Sequence, residues 1–411
     1  MIGVALEGGG AKGAFHVGAL KALKECGIQY DGVVGTSIGA INGAFAVMDQ
    51  LDALEQIWLS TTITDIIDGD PTLLEQIAKN KVPLDPSIIK RMVDEIVSNK
   101  GFNISPLKDK LTKLIDEHAI RKSNKDFGLV SVSLSDLKPI EVFVEQIPVG
   151  ELHDYILASA SLPTFQDHFV NGKRVIDGAF YDNLPISLLL KKNYDVIYAV
   201  RVFGMGRMKR ISKKDRDKVI YIEPSDDLGK VLEIDQEKAK KHIDMGYFDT
   251  MRVLRRLYGK RYYVSNMPKE LDVLAKLVDL KPEVLKGIQS FIGSSFSSHR
   301  MLFEELLPLI ADLLKVERSE DYGSLILSYY EFLAEQAGIN RFEIIAYEDL
   351  VSRVDAYYSM EQQIPRVKDE LSKLLINAIP NRGFLLFPKN LRIELLIHLY
   401  MLVLKPEISH T

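Results

Sequence analysis

Three short segments combine residue types that could perform nucleophilic chemistry. The pentapeptide Gly35-Thr36-Ser37-Ile38-Gly39 follows the apolar run Gly32 to Thr36 and precedes a helical pattern ending near Met48. A strand-to-helix turn of this kind drives its middle residue into a strained backbone, which small flanking glycines allow without a clash. The hydroxyl of Ser37 then points out of a sheet edge, at a helix N-terminus whose N–H groups and positive dipole end favour an anion. The plainer role for the same serine is a helix N-cap.

The second segment is Gly8-Gly9-Gly10-Ala11-Lys12-Gly13, directly after the apolar run Ile2 to Glu7. Its glycines also satisfy the dinucleotide pattern G-x-G-x-x-G, at Gly8, Gly10 and Gly13. That reading needs an acidic residue at the far end of the second strand to hold a ribose. Asp31 lies before that strand, and its far end carries Thr36 and Ser37. Turns after adjacent parallel strands emerge on one sheet edge, so glycine N–H groups could converge with Ser37 and hold the oxyanion of a tetrahedral intermediate. A turn packed against its helix is the structural alternative.

A serine needs a base. Of the eight histidines, His118, His242, His299, His398 and His410 fall in helical or terminal stretches. His153 and His168 precede the third segment and His16 sits inside the first helix, so sequence order assembles no Ser-His-Asp triad. The third segment, Asp177-Gly178-Ala179, places a carboxylate at a strand end before a sharp turn, although Asp-Gly pairs often serve turns alone. With a reference pKa of about 3.9, such an acid must act by proximity, within ~3 Å of the hydroxyl. No cluster of His, Asp and Glu has metal-ligand spacing, so neither metal nor cofactor is expected.

The elements that must position these residues read as α/β. Strand, Gly-rich turn, helix, strand, turn, helix fill the first forty-odd residues, which marks a parallel sheet with crossover helices. Further strands are expected at Leu129 to Val132, Ile140 to Val144, Arg174 to Ile176, Val196 to Val202 and Val219 to Ile222. Between about Leu51 and Asp126 the spacing turns helical, with Leu107, Leu111, Leu114 and Ile115 on one face. This reads as an insertion beside the sheet, able to form a lid but more simply packed on the core. After Tyr263 the pattern is helical to the end, broken at Gly293 to Ser298. The expected domains are 1–265, with the insertion at about 51–126, and an all-helical 266–411.

Composition narrows the class. The 411 residues carry 52 basic and 57 acidic side chains, a net charge of -5 that offers nucleic acid no general attraction. One cysteine, Cys26, cannot close an internal disulfide and is expected to be a buried thiol. The N-terminal residues lack the pattern of a secretory signal, and the most apolar late stretch, Leu391 to Leu404, is shorter than the about 20 residues of a spanning helix. A cytoplasmic address, free or peripheral to a membrane, is expected, with no transmembrane segment. The basic cluster Arg207, Lys209, Arg210, Lys213, Lys214, Arg216 and Lys218 is read foremost as a solvated loop, with anionic headgroups as the second reading.

The three segments together resemble the patatin-like phospholipase family, which combines a glycine-rich loop, G-x-S-x-G and D-G-G or D-G-A in this order. Ala158-Ser-Ala-Ser-Leu-Pro163 and Asn183-Leu-Pro185 are also similar to recurrent segments of that family, and the likeness covers about residues 1 to 260. It implies a three-layer sandwich, with a mostly parallel central sheet and helices on both faces, followed by the helical domain. It further implies Ser37 as nucleophile and Asp177 as proton acceptor, with Gly35, Thr36, Ile38 and Gly39 framing the serine and Gly178 and Ala179 turning the chain after the acid. Gly8, Gly9, Gly10, Ala11, Lys12 and Gly13 would form the oxyanion hole. Lys12 stands where arginine is frequent and Ala179 where glycine is. The activity implied is hydrolysis of phospholipid or other acyl-ester lipids through an acyl-enzyme. The rival is a regulatory or partner-binding protein that acts through its helical half and keeps a vestigial hydrolase fold.

Overall fold

Ile2–Leu6 and Gly32–Thr36 are five-residue apolar runs, too short for helices and buried almost throughout. Burial on both faces is the habit of parallel strands covered by helices, and the two pair in parallel as β1 and β2. Around them the computed structural model, which describes residues 1–78, 101–317, 321–360 and 386–404, builds one eight-stranded sheet. The other strands are β3 (Asp126–Ser133), β4 (Lys138–Phe143), β5 (His168–Val170), β6 (Lys173–Asp177), β7 (Val196–Val200) and β8 (Val219–Ile222). The order is β5-β6-β3-β2-β1-β7-β8, with β4 also on β3; β1, β2, β3, β7 and β8 run parallel, while β4, β5 and β6 pair antiparallel.

Helices cover both faces. On one, α1 (Ala14–Glu25), α2 (Ile38–Val47) and the long Gln236–Arg255 helix pack together. A Cβ on Gly18 would stand 1.8 Å from the Ile243 carbonyl oxygen and one on Gly246 2.0 Å from that of Phe15, so the two helices touch backbone to backbone only because both residues are glycine. Gly43 of α2 lies over Val33 and Phe127. On the other face the short helix Ile186–Lys191 buries Ile186, Leu188 and Leu189 against Ala5, Val34 and Ile197. This is the expected three-layer α/β architecture. β5 has only three residues, too few to show a period in the sequence.

The segment between β2 and β3 continues after α2 with α3 (Leu51–Ser60), α4 (Pro71–Ala78), α5 (Ser105–Leu114) and α6 (Glu117–Lys122), with 79–100 outside the described residues and an isolated antiparallel bridge between Asp68 and Asn103. Cys26 is half-buried rather than buried, because it caps the end of α1; its Sγ lies 3.4 Å from Met251 Sδ.

The chain divides into two compact units, Met1–Arg255 and Arg256–Thr411. The second unit is a set of helices, among them Pro282–Ile292, Leu307–Leu314, Tyr322–Gln336, Tyr347–Ser359 and Lys389–Leu404, around a core that includes Leu333, Leu350, Val354 and Leu395. Gly293 ends the first of these in a left-handed cap, where the Ser-rich break was expected. A parallel pair of two-residue strands, Tyr263–Val264 and Ile344–Ile345, belongs to the same unit. Among the described residues no helix is long and apolar enough to cross a membrane.

Candidate active site

Ser37 sits between β2 and α2 with φ 57° and ψ -127°, a left-handed backbone that costs a non-glycine residue on the order of 1–3 kcal/mol. Its surroundings enforce that geometry. A Cβ on Gly35 would stand 2.2 Å from the Gly39 carbonyl, and one on Gly39 2.3 Å from the Leu6 carbonyl oxygen, so the turn closes only on glycines. Ser37 makes no N-cap hydrogen bond with its side chain, which leaves its hydroxyl unclaimed by α2.

Register explains how a residue 140 positions later arrives beside it. β3 pairs with β2 through Thr36↔Val130 and with β6 through Ser131↔Asp177, while β4 occupies β3's other edge from Gly128 to Ser133. β2 and β6 therefore run toward each other along one edge of β3, and their C-terminal ends abut. Gly178 turns the chain there; a Cβ on it would meet the Val130 carbonyl oxygen at 2.2 Å and Thr36 Cγ2 at 3.0 Å.

The carboxyl of Asp177 is fully buried. Desolvation pushes it up to about 6, with the Ser37 hydroxyl and the Ala179 amide holding it back. Oδ1 accepts the Ala179 N–H at 2.7 Å, while Oδ2 completes no hydrogen bond of good geometry. Ser37 is thus near enough to influence the acid without being aligned on it, as is common before a substrate is bound.

Both residues hang from one segment. The Ser37 N–H donates to Ser159 Oγ at 2.9 Å, whose own hydroxyl donates to the Val130 carbonyl at 2.6 Å, and the Asp177 N–H donates to the Ser161 carbonyl at 2.8 Å. Thr36 Oγ1 donates to the Asp182 carbonyl at 2.8 Å. The Ala158 to Pro163 segment was noticed in the sequence for its likeness, but its role as a shared support was not, because contacts over such separations leave no periodic trace.

In the glycine loop the amides divide into two sets. Gly8 donates to the Asn183 carbonyl at 2.9 Å, Ala11 to that of Val231 at 2.7 Å and Lys12 to that of Gly9 at 3.3 Å, whereas the Gly9 and Gly10 N–H groups have no acceptor among the described residues. Gly8, Gly9, Gly10 and Ala11 line the cavity onto which Ser37 opens; Lys12 and Gly13 do not. Gly13 instead packs against Ile38, and Lys12 Nζ donates to the Phe203 carbonyl at 3.1 Å. Asn183 also donates from Nδ2 to the Gly8 carbonyl at 3.0 Å, so Gly8 is held from both sides. Glu7, just before it, accepts the Val202 and Phe203 amides at 2.7 and 3.0 Å.

The dinucleotide alternative loses its ribose partner, since the Asp31 carboxylate accepts the Ile2 N–H at 2.7 Å at the opposite end of the strands. Among the described residues no histidine lines the cavity. His16 is wholly buried beside Asn42, and desolvation lowers its pKa to about 3, which fits a neutral core residue. His153 and His168 are engaged with the carbonyls of Ile115 and Asp154. Among the described residues no group of His, Cys, Asp and Glu is placed to hold a metal ion.

The cavity has a volume of about 190 Å³. Its walls are helix faces: Ile38, Ile41 and Phe45 of α2, Leu54, Ile57 and Trp58 of α3, and Leu107, Leu111 and Leu114 of α5. α3 is tied to α2 where Trp58 Nε1 donates to Asn42 Oδ1 at 3.2 Å. Beyond the end of α5 the Asp116 N–H lies 3.4 Å from Met48 Sδ. At 1.5 Å per residue, Phe45 lies ~12 Å from Ser37 along the helix. The insertion helices thus form cavity wall. Val231, Leu232 and Ile234 also line it, and nothing in their sequence had marked them.

A strained serine thus stands beside a buried aspartate, next to two uncommitted backbone amides, and all of them line one largely apolar cavity. Residues 4–190, somewhat under half of the chain, match the family described as patatin-like phospholipase. The chain is similar to lysophospholipase NTE1 of Kluyveromyces lactis, 27% identical over 206 residues that make up 49% of this chain and 12% of that protein. Patatin-like phospholipase domain-containing protein 7 of Rattus norvegicus is 26% identical over 204 residues, 49% of this chain and 13% of the relative. An uncharacterised NTE family protein of Mycobacterium bovis is 26% identical over 205 residues, 49% of each chain. The similar segment thus spans about half of the mycobacterial relative and far less of the other two. Among solved structures, VipD from Legionella pneumophila aligns over 98% of this chain and 91% of its own at 13% identity, with a TM-score of 0.36, too loose a likeness to argue from.

Proposed function

We propose that the chain is a lipid acyl hydrolase of phospholipase A or lysophospholipase type, in which Ser37 is the nucleophile and Asp177 its direct general base. The observation that carries this reading is the abutment of the two strand ends, which puts the Ser37 hydroxyl and the buried Asp177 carboxyl together at the mouth of an apolar cavity. Ser37 Oγ attacks the ester carbonyl carbon while its proton passes to Asp177. The developing oxyanion is bound in the loop from Gly8 to Gly13, by the Gly9 and Gly10 amides, whose N–H groups are uncommitted. The tetrahedral intermediate collapses, the ester C–O bond breaks, and Asp177 gives the proton to the departing alcohol or lysophospholipid. Water, deprotonated by Asp177, then hydrolyses the acyl-enzyme.

The acyl chain occupies the cavity between α2, α3 and α5, which gives the insertion at about 51–126 the role of a wall within a catalytic domain of 1–265. The helical domain, 266–411, has no assigned part in the chemistry, and the protein acts in the cytoplasm or at the surface of a membrane. Ser37→Ala and Asp177→Asn should each abolish hydrolysis of a short-chain p-nitrophenyl ester with circular dichroism unchanged; retained turnover in either removes that residue from the mechanism. A fluorophosphonate separates this reading from a vestigial fold, because only an activated serine is labelled rapidly.

A further inference from the structure

The loop at the rim of the cavity carries side chains that the reaction does not use. From Phe203 to Met208 the chain exposes three large apolar residues: Phe203 at 48%, Met205 at 82% and Met208 at 48%. Phe180, on the turn after Asp177, is 51% exposed. The two segments are joined, because the Arg207 N–H donates to the Ala179 carbonyl at 2.8 Å and the Asn183 N–H to the Arg207 carbonyl at 2.6 Å. At its start the loop is fastened to the glycine loop through Glu7 and Lys12. Ala179 and Met205 both line the cavity, so the two joined segments reach its edge, while Met208, Arg210 and Arg216 line a shallower depression beside Tyr221 and Glu223.

The same loop is cationic in an unusual way. Among the described residues no carboxylate lies within ion-pair distance of Arg207, Arg210, Lys213, Lys214 or Arg216, while their neighbours Lys209 and Lys218 are paired with Glu141 and Asp215. In a chain of net charge -5 these cations without an ion-pair partner stand against the overall field, Lys214 alone feeling a nearby carboxylate, that of Asp215. A soluble anion would need only the cations. Phenylalanine and methionine held in water among them fit a surface that is negative at the headgroups and apolar just beneath.

We propose that Phe180 and the segment from Phe203 to Arg216 dock the protein on an anionic lipid bilayer. The apolar side chains enter among the headgroups, those cations meet lipid phosphates, and the cavity mouth is set against the acyl chains it is to receive. This rests on the lipid-hydrolase reading of the site, yet its test does not depend on turnover.

The test is flotation of the full chain with vesicles of phosphatidylcholine, alone or enriched in phosphatidylglycerol. The unaltered protein should partition onto the anionic vesicles, less so as salt rises. Met208→Asp and the double variant Arg210→Glu/Lys214→Glu should each weaken that partition by about tenfold or more, since each basic residue near a charged surface matters several-fold. Met208→Leu should retain it, and all three should hydrolyse a water-soluble short-chain ester like the unaltered protein. Equal binding to both vesicle types, or binding indifferent to these substitutions, overturns the proposal. So does a loss confined to the charge reversal, which would indicate an anion site without insertion. Failure of the unaltered protein to cleave the soluble ester sinks the hydrolase reading instead and leaves the flotation result to decide the docking surface.

Discussion

Thr36 and Asp177 lie opposite consecutive residues of one strand, Val130 and Ser131, although 141 positions separate them in the chain. The proposed base is therefore placed by sheet register, and with it comes burial. Desolvation raises the Asp177 carboxyl to about 6, which makes it a stronger base than a free aspartate. If the ionised form takes the serine proton, kcat/KM should rise with pH through an apparent pKa near 6 and level off above it. A rate already at its plateau at pH 4.5 would contradict the assignment.

The same shift has a cost in stability. A carboxyl whose folded pKa lies above its unfolded value binds its proton more tightly when folded, so its contribution to stability is greatest below the unfolded value near 3.8 and is lost as pH rises through about 6. At neutral pH that penalty is on the order of 1–3 kcal/mol. Asp177→Asn removes the charge and keeps an acceptor for the Ala179 amide. We expect an inactive variant that melts a few degrees higher at pH 7.5, with the difference vanishing near pH 4. An equal or lower melting temperature at pH 7.5 would count against a strained, charged Asp177.

Ser159 tests the shared support. Ser159→Ala takes away the acceptor of the Ser37 N–H and the donor to the Val130 carbonyl, at a cost of about 1–3 kcal/mol in stability. Because the serine loses its anchor, kcat should fall by roughly tenfold or more with KM little changed. Thermal denaturation and steady-state kinetics on a soluble ester would settle both halves. A stability loss with full kcat would show that Ser37 is held by its glycines alone.

The uncommitted amides single out two glycines. A Cβ on Gly10, whose φ is 56°, would stand 2.3 Å from the Val231 carbonyl oxygen, and one on Gly9 2.6 Å from Val202 Cγ2. Alanine at either position must displace the loop, and loss of an oxyanion donor typically lowers kcat by about 10²–10³. Gly27→Ala serves as control, since open space surrounds that glycine far from the site, although its φ of 74° makes a modest stability loss expected. Kinetics in which Gly9 and Gly10 variants match the control would remove them from the oxyanion hole.

Phe45, Leu54 and Leu111 line the cavity, and Phe45 lies two turns of α2 beyond Ser37, which predicts selectivity. With each C–C bond of about 1.5 Å advancing an extended chain by ~1.25 Å, ~12 Å accommodates about nine or ten carbons. Activity on p-nitrophenyl esters should peak near that length, and Phe45→Leu should move the peak to longer chains at a stability cost of about 1 kcal/mol. An unchanged profile would mean that the acyl chain does not run along α2.

The serine turn, the glycine loop and the acid were legible because each is a local pattern of residues demanded by backbone geometry. The strands beside them were legible from short β-branched runs. The cavity was not, because Leu107, Leu111 and Leu114 have the spacing of any amphipathic helix, and spacing does not tell a face packed on a core from one lining a void. Nor could sequence foretell that Ser159, Asn183 and Glu7 hold the loops in place, since each acts on a partner far along the chain. The loop after β7 read as solvated because its cations are obvious, whereas the exposure of Phe203, Met205 and Met208 is a fact of folding alone.

Because β3 joins β2 directly while also holding β6, the connection from α3 to Asp126 is bracketed by a fixed hydrogen-bonded seam. That connection can lengthen, shorten or be exchanged without moving Ser37 relative to Asp177. The fold thereby leaves the cavity wall free to change shape while Ser37 and Asp177 stay in register.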